Sequence, residues 1–252
     1  FRGGQPVTVV AEGAVEAPSS LTWEDVSAAG LNTEVLEPLR RWRLQFAGDD
    51  ASFDLSLEAV GAIAELPPEH PAAQAGGMAG YEQLVHVEGS ATVGSARLEV
   101  RALGQRGHSW GAPDWERIDL ARTLSAWLGD DLALTAVAIR PHRAETHAGE
   151  LIAATLLEPA GDNGAGAPTA VPVEDPRLST TYDAGGHQRH AGLELWVGKE
   201  DRYARHVAGE ALCGTSLDLG RLRLDCAFFR WRTQGREGVG RYDIVRRAAA
   251  AG

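Results

Sequence analysis

The sequence predicts an all-β protein built from antiparallel β units. Three observations carry this. Apolar and polar residues alternate with period two in many short runs. Clusters of Gly, Asp, Ser and Pro separate those runs. The runs recur at roughly the 8–12-residue spacing of β-sandwiches and barrels. With 252 residues, 44% hydrophobic and 23% charged, the chain has an ordinary globular balance and can bury a sizeable core. There is no short sequence repeat, and the internal symmetry extends no further than two β units.

Taken in order, Val7–Val10 reads as a first strand in a chain that opens on Phe1 rather than Met, so a preceding segment is expected. Thr22, a plausible N-cap with Asp25 three residues on, suggests a short helix over Thr22–Ala29. Arg41–Phe46 and Phe53–Ala59 alternate and are parted by Gly48, Asp49 and Asp50. Pro67–Gly80 is rich in Pro, Ala and Gly and is expected to be a long loop. Tyr81, Gln83 and His86 fall on the next strand, with Tyr81 and Gln83 on one face and His86 on the other. Ile118, Ala121, Leu124, Ser125 and Leu128 are spaced for a helix face, but the same segment also alternates. Since Gly129, Asp130 and Asp131 then lead into the β-forming run Leu132–Ile139, we favour a hairpin. Ala160–Pro176 carries Gly161, Gly164, Gly166, Pro168, Pro172 and Pro176 and reads as an interdomain linker. The expected division is therefore 1–160, a linker at 161–177, and 178–252. Strands resume at Leu193–Val197, Tyr203–Leu212, Leu222–Trp231 and Tyr242–Val245.

A net charge of −11 disfavours nucleic acid and anionic membrane surfaces as partners. The basic clusters Arg40–Arg43 and Arg246–Arg247 are short and read as solvated. No apolar run is long enough to span a membrane, and no signal peptide is visible. Cys213 and Cys226 lack CxxC spacing and read as reduced thiols of a cytoplasmic protein; a bridge would require their flanking strands to pair. The absence of GxSxG, a phosphate-binding glycine loop and HExxH argues against serine hydrolases, nucleotide-dependent enzymes and zinc proteases. Neither a cofactor nor a metal is expected.

Chemistry is expected on Gln105–Trp115, which crowds one His, two Trp, one Arg, one Asp and glycines together. His108 can donate or accept a proton. Asp114 can orient it or serve as an acid if buried. Trp110 and Trp115 can wall a pocket for an apolar or conjugated ligand. Arg106 adds a cation, and Tyr81 and Gln83 can offer hydrogen bonds to a ligand if their face points into a cavity. His187 and His190, with Asp183 nearby, read as surface loop rather than as a ligand set. His142 and His147 are assigned to solvent, and Glu150 and Glu158 to strand ends.

The run Arg106-Gly107-His108-Ser109-Trp110-Gly111, followed by Asp114-Trp115, resembles the R-D-H-S-W-G-x-R-D-W signature of the AttH/CrtC-like proteins, which include the carotenoid 1,2-hydratases. The closing Phe229–Tyr242 is similar to the C-terminal strand pair of members of that group. The resemblance implies two consecutive lipocalin-like antiparallel β-barrel or sandwich units of the calycin superfamily. It also implies acid catalysis involving His108 and Trp110. The sequence departs from the signature at Gly107, where the family has Asp, and at Pro113, where it has Arg. The hydratases also use a Tyr and an Asp on a later strand, and the stretch near Leu134–Val137 offers neither, so Asp114, Asp119 or Asp131 would have to stand in.

Two readings follow. One is a cofactor-independent hydratase, isomerase or cyclase acting on an isoprenoid or polyketide-like substrate, with His108 and Asp114 catalytic and Trp110, Trp115, Arg106, Tyr81 and Gln83 binding. The other is a non-catalytic carrier of a lipophilic ligand, or a structural or interaction protein.

Overall fold

The computed structural model describes residues 26–142, 144, 149–160, 166–198 and 202–248. Among these residues are sixteen strands and one short helix. The first sheet joins β1 (Val26–Ala28), β2 (Leu31–Glu37), β3 (Arg41–Ala47), β4 (Ala51–Ala59), β6 (Met78–Val93) and β5 (Ala64–Leu66) in that order, with β7 (Ala96–Gly111) pairing β6. The second sheet has nine strands. Its order is β11 (Gly166–Pro172), β10 (Leu151–Ala160), β9 (Leu132–Pro141), β8 (Ile118–Gly129), β16 (Arg236–Arg247), β15 (Leu222–Thr233), β14 (Arg205–Asp218), β13 (Gln188–Trp196) and β12 (Asp175–Tyr182). Every pairing with a determined register is antiparallel, and the all-β expectation holds.

Period-two alternation places the core. In β8, Leu120, Leu124, Ala126 and Leu128 turn to one face of the nine-stranded sheet. They join Leu134 of β9, Leu193 and Leu195 of β13, and Phe229 and Trp231 of β15 in a single apolar cluster. The sheet curls around this cluster, which draws on β8, β9, β10 and β12 through β16. Phe229, Trp231 and Tyr242 are fully buried and pack ring to ring, with Phe229 and Trp231 stacked at 5.3 Å. Each such side chain contributes roughly 1.5–3 kcal/mol of burial free energy. Buried charge also sits on this face. Arg122 is buried and pairs with Glu150, while its Nη1 donates to Thr180 Oγ1 at 3.0 Å and Tyr242 OH at 3.3 Å. Glu150 precedes β10, as expected of a strand end, but its side chain is 1% exposed rather than solvated.

The chain divides into two compact units. The smaller holds residues 26–60 and 84–104; the larger holds 61–83 and 105–248. This differs from the division expected at 161–177. Both β10 and β12 belong to the nine-stranded sheet, and Gly166–Pro172 forms its edge strand β11. Prolines made this stretch read as a linker, but an edge strand tolerates them, because an outward-facing position needs no amide donor. The other edge, β12, carries Pro176.

Two local readings change. Val26–Ala28 is strand β1, paired with Leu31–Thr33, and not the end of a helix; Val7–Val10 and Thr22–Asp25 lie outside the described residues. The expected loop Pro67–Gly80 contains α1 (Pro71–Gly76) and the start of β6. His70 Nδ1 caps that helix by accepting the Ala72 N–H at 3.1 Å, Pro71 sits in its first turn, and Gly77 closes it in the left-handed conformation at φ +64°. The residues that punctuate a loop here serve as helix caps. In addition, β7 runs unbroken to Gly111, so the dense segment is strand for most of its length. The hairpin favoured over a helix is present as β8 and β9.

Candidate functional site

The larger unit contains the ends of β6 and β7 on which the expected site residues lie. Adjacent side chains on a strand point to opposite faces, so the two strands present two different surfaces.

One surface gathers Tyr81, Arg106, His108 and Trp110. Arg106 Nη1 donates to Tyr81 OH at 2.6 Å, and the guanidinium lies 5.3 Å from the Tyr81 ring centroid, within cation–π range. The His108 ring stands 5.8 Å from Tyr81 and edge-on to Trp110 at 5.6 Å. Trp110 is 48% exposed, so it closes no core. The remaining predicted residues lie apart from this group. Gln83 is buried, and its amide donates to the Gly61 carbonyl at 3.2 Å. Asp114 is exposed and accepts the Glu116 N–H at 3.0 Å within its own turn. Trp115 is half-buried in the segment after β7.

The same strand ends also border a cavity of about 200 Å³. Ala72 and Gly76 of α1, and Val137, Ile139 and Ala153 of β9 and β10, give it an apolar wall. Thr123, Thr135 and Thr155 add three hydroxyls, and the Thr135–Thr155 pair lies directly across β9 and β10. His108 and Tyr81 also contribute to the lining, whereas Arg106, Trp110, Gln83, Asp114 and Trp115 do not. The segment around Leu134–Val137, which lacks the Tyr and Asp of the hydratases, therefore supplies cavity wall through Thr135 and Val137.

Two acids line this cavity, the exposed Glu65 and the more buried Glu82, which the sequence reading passed over. Burial pushes the Glu82 carboxyl above the usual range, against the opposing pull of the Gln105 hydrogen bond and of Arg241 and Arg106. Gln105 Nε2 donates to Glu82 Oε2 at 2.5 Å. Gly107 faces the same carboxyl. A Cβ there would come within 2.7 Å of Oε1 and closer still to Oε2, so the glycine leaves the space the Glu82 head fills. Beside it, burial also raises Asp243, whose Oδ2 accepts from Arg241 Nε at 2.9 Å and Nη2 at 2.6 Å. Burial and the Asp243 charge push the Cys226 thiol up to about 11. The signal available in the sequence was an acid between the apolar stretches Met78–Gly80 and Leu84–Val85.

Elsewhere, His187 and Asp183 close a tight turn. Asp183 Oδ1 accepts the N–H groups of Gly185 and His187, while the His190 ring lies 3.2 Å from Thr181 Oγ1. His142 pairs with Asp119 at 2.7 Å and is 42% exposed; His147 lies outside the described residues. Among the described residues no group of three or more His, Cys, Asp or Glu is placed to hold a metal ion. No helix among them is long and apolar enough to cross a membrane. Cys213 and Cys226 are both free.

The sequence profile of a domain of unknown function, DUF7064, matches residues 1–247. The chain belongs to the DUF7064 family. No curated protein matches it in sequence. Among solved structures, this DUF7064 chain is similar to a presumed AttH from Nitrosomonas europaea at 16% identity. The match covers 88% of this chain and 69% of that one, with a TM-score of 0.62. It is also similar to CghA at 12% identity, covering 88% and 68%, with a TM-score of 0.54. At such identities the likeness is one of fold, and it agrees with the AttH-like, lipocalin-type architecture expected from the signature segment.

Proposed function

We propose that this DUF7064 chain binds a small apolar, unsaturated ligand in the cavity of its larger unit and converts it without a cofactor, by hydration, isomerisation or cyclisation. The observation that carries this reading is the cavity itself: an apolar wall with a few convergent polar groups, the usual composition of a small-molecule site. Its volume of about 200 Å³ sets a scale. Sites for drug-sized ligands span roughly 300–1,000 Å³, and a void of about 150 Å³ admits benzene. The cavity therefore suits one ring or one branched terminus of an isoprenoid or polyketide-like molecule, not the whole of a long one. His108 and Tyr81 at the lining supply a titratable group and a π face for developing positive charge.

A carrier without chemistry is the second reading. It is favoured by the position of Asp114, the expected helper of His108, which is engaged in its own turn. One experiment separates the two. Binding of 3-methylbut-2-en-1-ol is followed by saturation-transfer NMR, in the parent and in Ala153→Leu, and the products are analysed by mass spectrometry. Binding that is lost in Ala153→Leu, together with a product, supports the enzyme. The same binding without a product supports the carrier. Binding unaffected by Ala153→Leu rules out the cavity for both.

A further inference from the structure

We infer that Glu82 is the proton donor of this cavity and that Gly107 is the position that makes room for it. The inference rests on the reading above that an apolar ligand occupies the cavity, and it names the group that acts on that ligand.

The geometry has three parts. First, the Glu82 side chain reaches the cavity from β6. Second, among the described residues Gln105 on β7 engages the carboxyl at Oε2, which leaves Oε1 to carry a proton toward the ligand. Third, the space over β7 at position 107 is empty of side chain. Any Cβ there would displace both carboxyl oxygens, and the flexible end of Glu82 would yield before the backbone did. The acid of this site is thus borne by β6, and β7 contributes a vacancy at the matching place.

The charged and titratable neighbours are Arg106 and His108 on β7, Tyr81 on β6, Glu65 on β5, and Arg241 and Asp243 on β16. The part of the wall formed by β8, β9 and β10 offers only apolar residues and the hydroxyls of Thr123, Thr135 and Thr155. Arg241 directs Nε and Nη2 at Asp243 Oδ2, which ties its charge to that carboxylate. A neutral Glu82 is consistent with the burial that raises its pKa. Such an acid protonates an electron-rich alkene. The O–H bond of Oε1 breaks, the π electrons form a C–H bond, and the adjacent carbon takes the positive charge. Water adds there and sheds a proton to the Glu82 carboxylate, so the sum is addition of one water. The threonine hydroxyls are the groups able to hold that water.

The test uses 3,4-dihydro-2H-pyran, a six-atom cyclic enol ether whose hydrolysis begins with carbon protonation and yields 5-hydroxypentanal. Binding is followed by saturation-transfer NMR and hydrolysis by aldehyde formation, in the parent, Glu82→Gln and Gly107→Ala. The parent should accelerate hydrolysis, with a rate that falls as pH rises through the Glu82 pKa. Glu82→Gln should bind the probe and lose on the order of 100-fold in rate, the usual yield of a positioned acid. Gly107→Ala keeps the carboxyl but moves it, and should also lose roughly 100-fold with binding retained, as expected for misplacement by about 1 Å. Circular dichroism would confirm that both variants are folded. Retained binding with an unchanged rate in Glu82→Gln, or no acceleration by a parent that binds the probe, overturns the proton-donor assignment and leaves the cavity reading standing. Failure of the parent to bind overturns both.

Discussion

Replacing Glu150 by Gln tests the charge network inside the nine-stranded sheet. The Arg122 side chain is 0% exposed and that of Glu150 1%. Without the carboxylate, Arg122 keeps only neutral partners: Thr180 Oγ1, Tyr242 OH and the Leu178 carbonyl at 3.5 Å. Removing one partner of a buried pair typically costs about 3–5 kcal/mol, because the remaining guanidinium stays charged, uncompensated and cut off from water. Arg140, which also grips Glu150 at 2.6 Å, is 23% exposed and can turn toward solvent, so its share is about 1 kcal/mol or less. Urea denaturation followed by tryptophan fluorescence should therefore show a loss of about 3–5 kcal/mol for Glu150→Gln. The corresponding fall in Tm is on the order of 10 °C. The double replacement Arg122→Met with Glu150→Met removes both charges and leaves the Thr180–Tyr242 hydrogen bond intact. It should lie within about 1 kcal/mol of the parent, since apolar residues of similar volume commonly replace buried ion pairs without loss. A Glu150→Gln cost under about 1 kcal/mol, or a double variant as unstable as the sum of the singles, would refute the reasoning.

Trp231 is fully buried against Phe229 and Tyr242, and its Nε1 has no hydrogen-bond partner among the described residues. Trp231→Ala should cost about 3–5 kcal/mol and Trp231→Phe distinctly less in the same assay, since Phe forfeits no hydrogen bond. Burial opposes ionisation of Asp225, but Ser216, Arg246 and Arg223 outweigh it, so its pKa is lowered in the folded state. Its contribution is therefore present above the unfolded carboxyl pKa and is lost as pH falls through the folded value. Asp225→Asn should flatten the acid limb of a stability–pH curve, and an unaltered limb would contradict this. At neutral pH iodoacetamide should label exposed Cys213 and spare Cys226, whose thiol is raised to about 11 by burial and Asp243. Peptide mass spectrometry reads the outcome, and equal labelling would count against it.

Much of the fold was legible because strand burial writes itself as alternation. The β8–β9 hairpin illustrates this. Leu120, Leu124, Ala126 and Leu128 satisfy period two, and Gly129 sits at the turn with φ +155°, which favours glycine. The division of the chain was not legible, because proline and glycine mark linkers, edge strands and helix caps alike. Pro168 on β11 and Pro71 in α1 show two of those uses. The site was half legible. The segment from Gln105 identified the surface that holds Arg106, His108 and Trp110. Glu82, between Tyr81 and Gln83, was not legible, since the partner that gives it meaning, Gly107, is defined by a missing side chain and lies 25 residues away.

The two ends of the nine-stranded sheet carry a further consequence. Strand β11 contains Pro168 and Pro172, and β12 contains Pro176 beside Asp175 and Arg177. Each proline deletes an amide that a foreign strand would need, and each charge must be desolvated before one can dock. The Pro168 carbonyl is already taken by the Ala62 N–H. The rims are thereby poor templates for end-to-end growth. Exchanging Pro168 and Pro172 for valine would restore two donors to one rim and convert a terminus of the sheet into a seed.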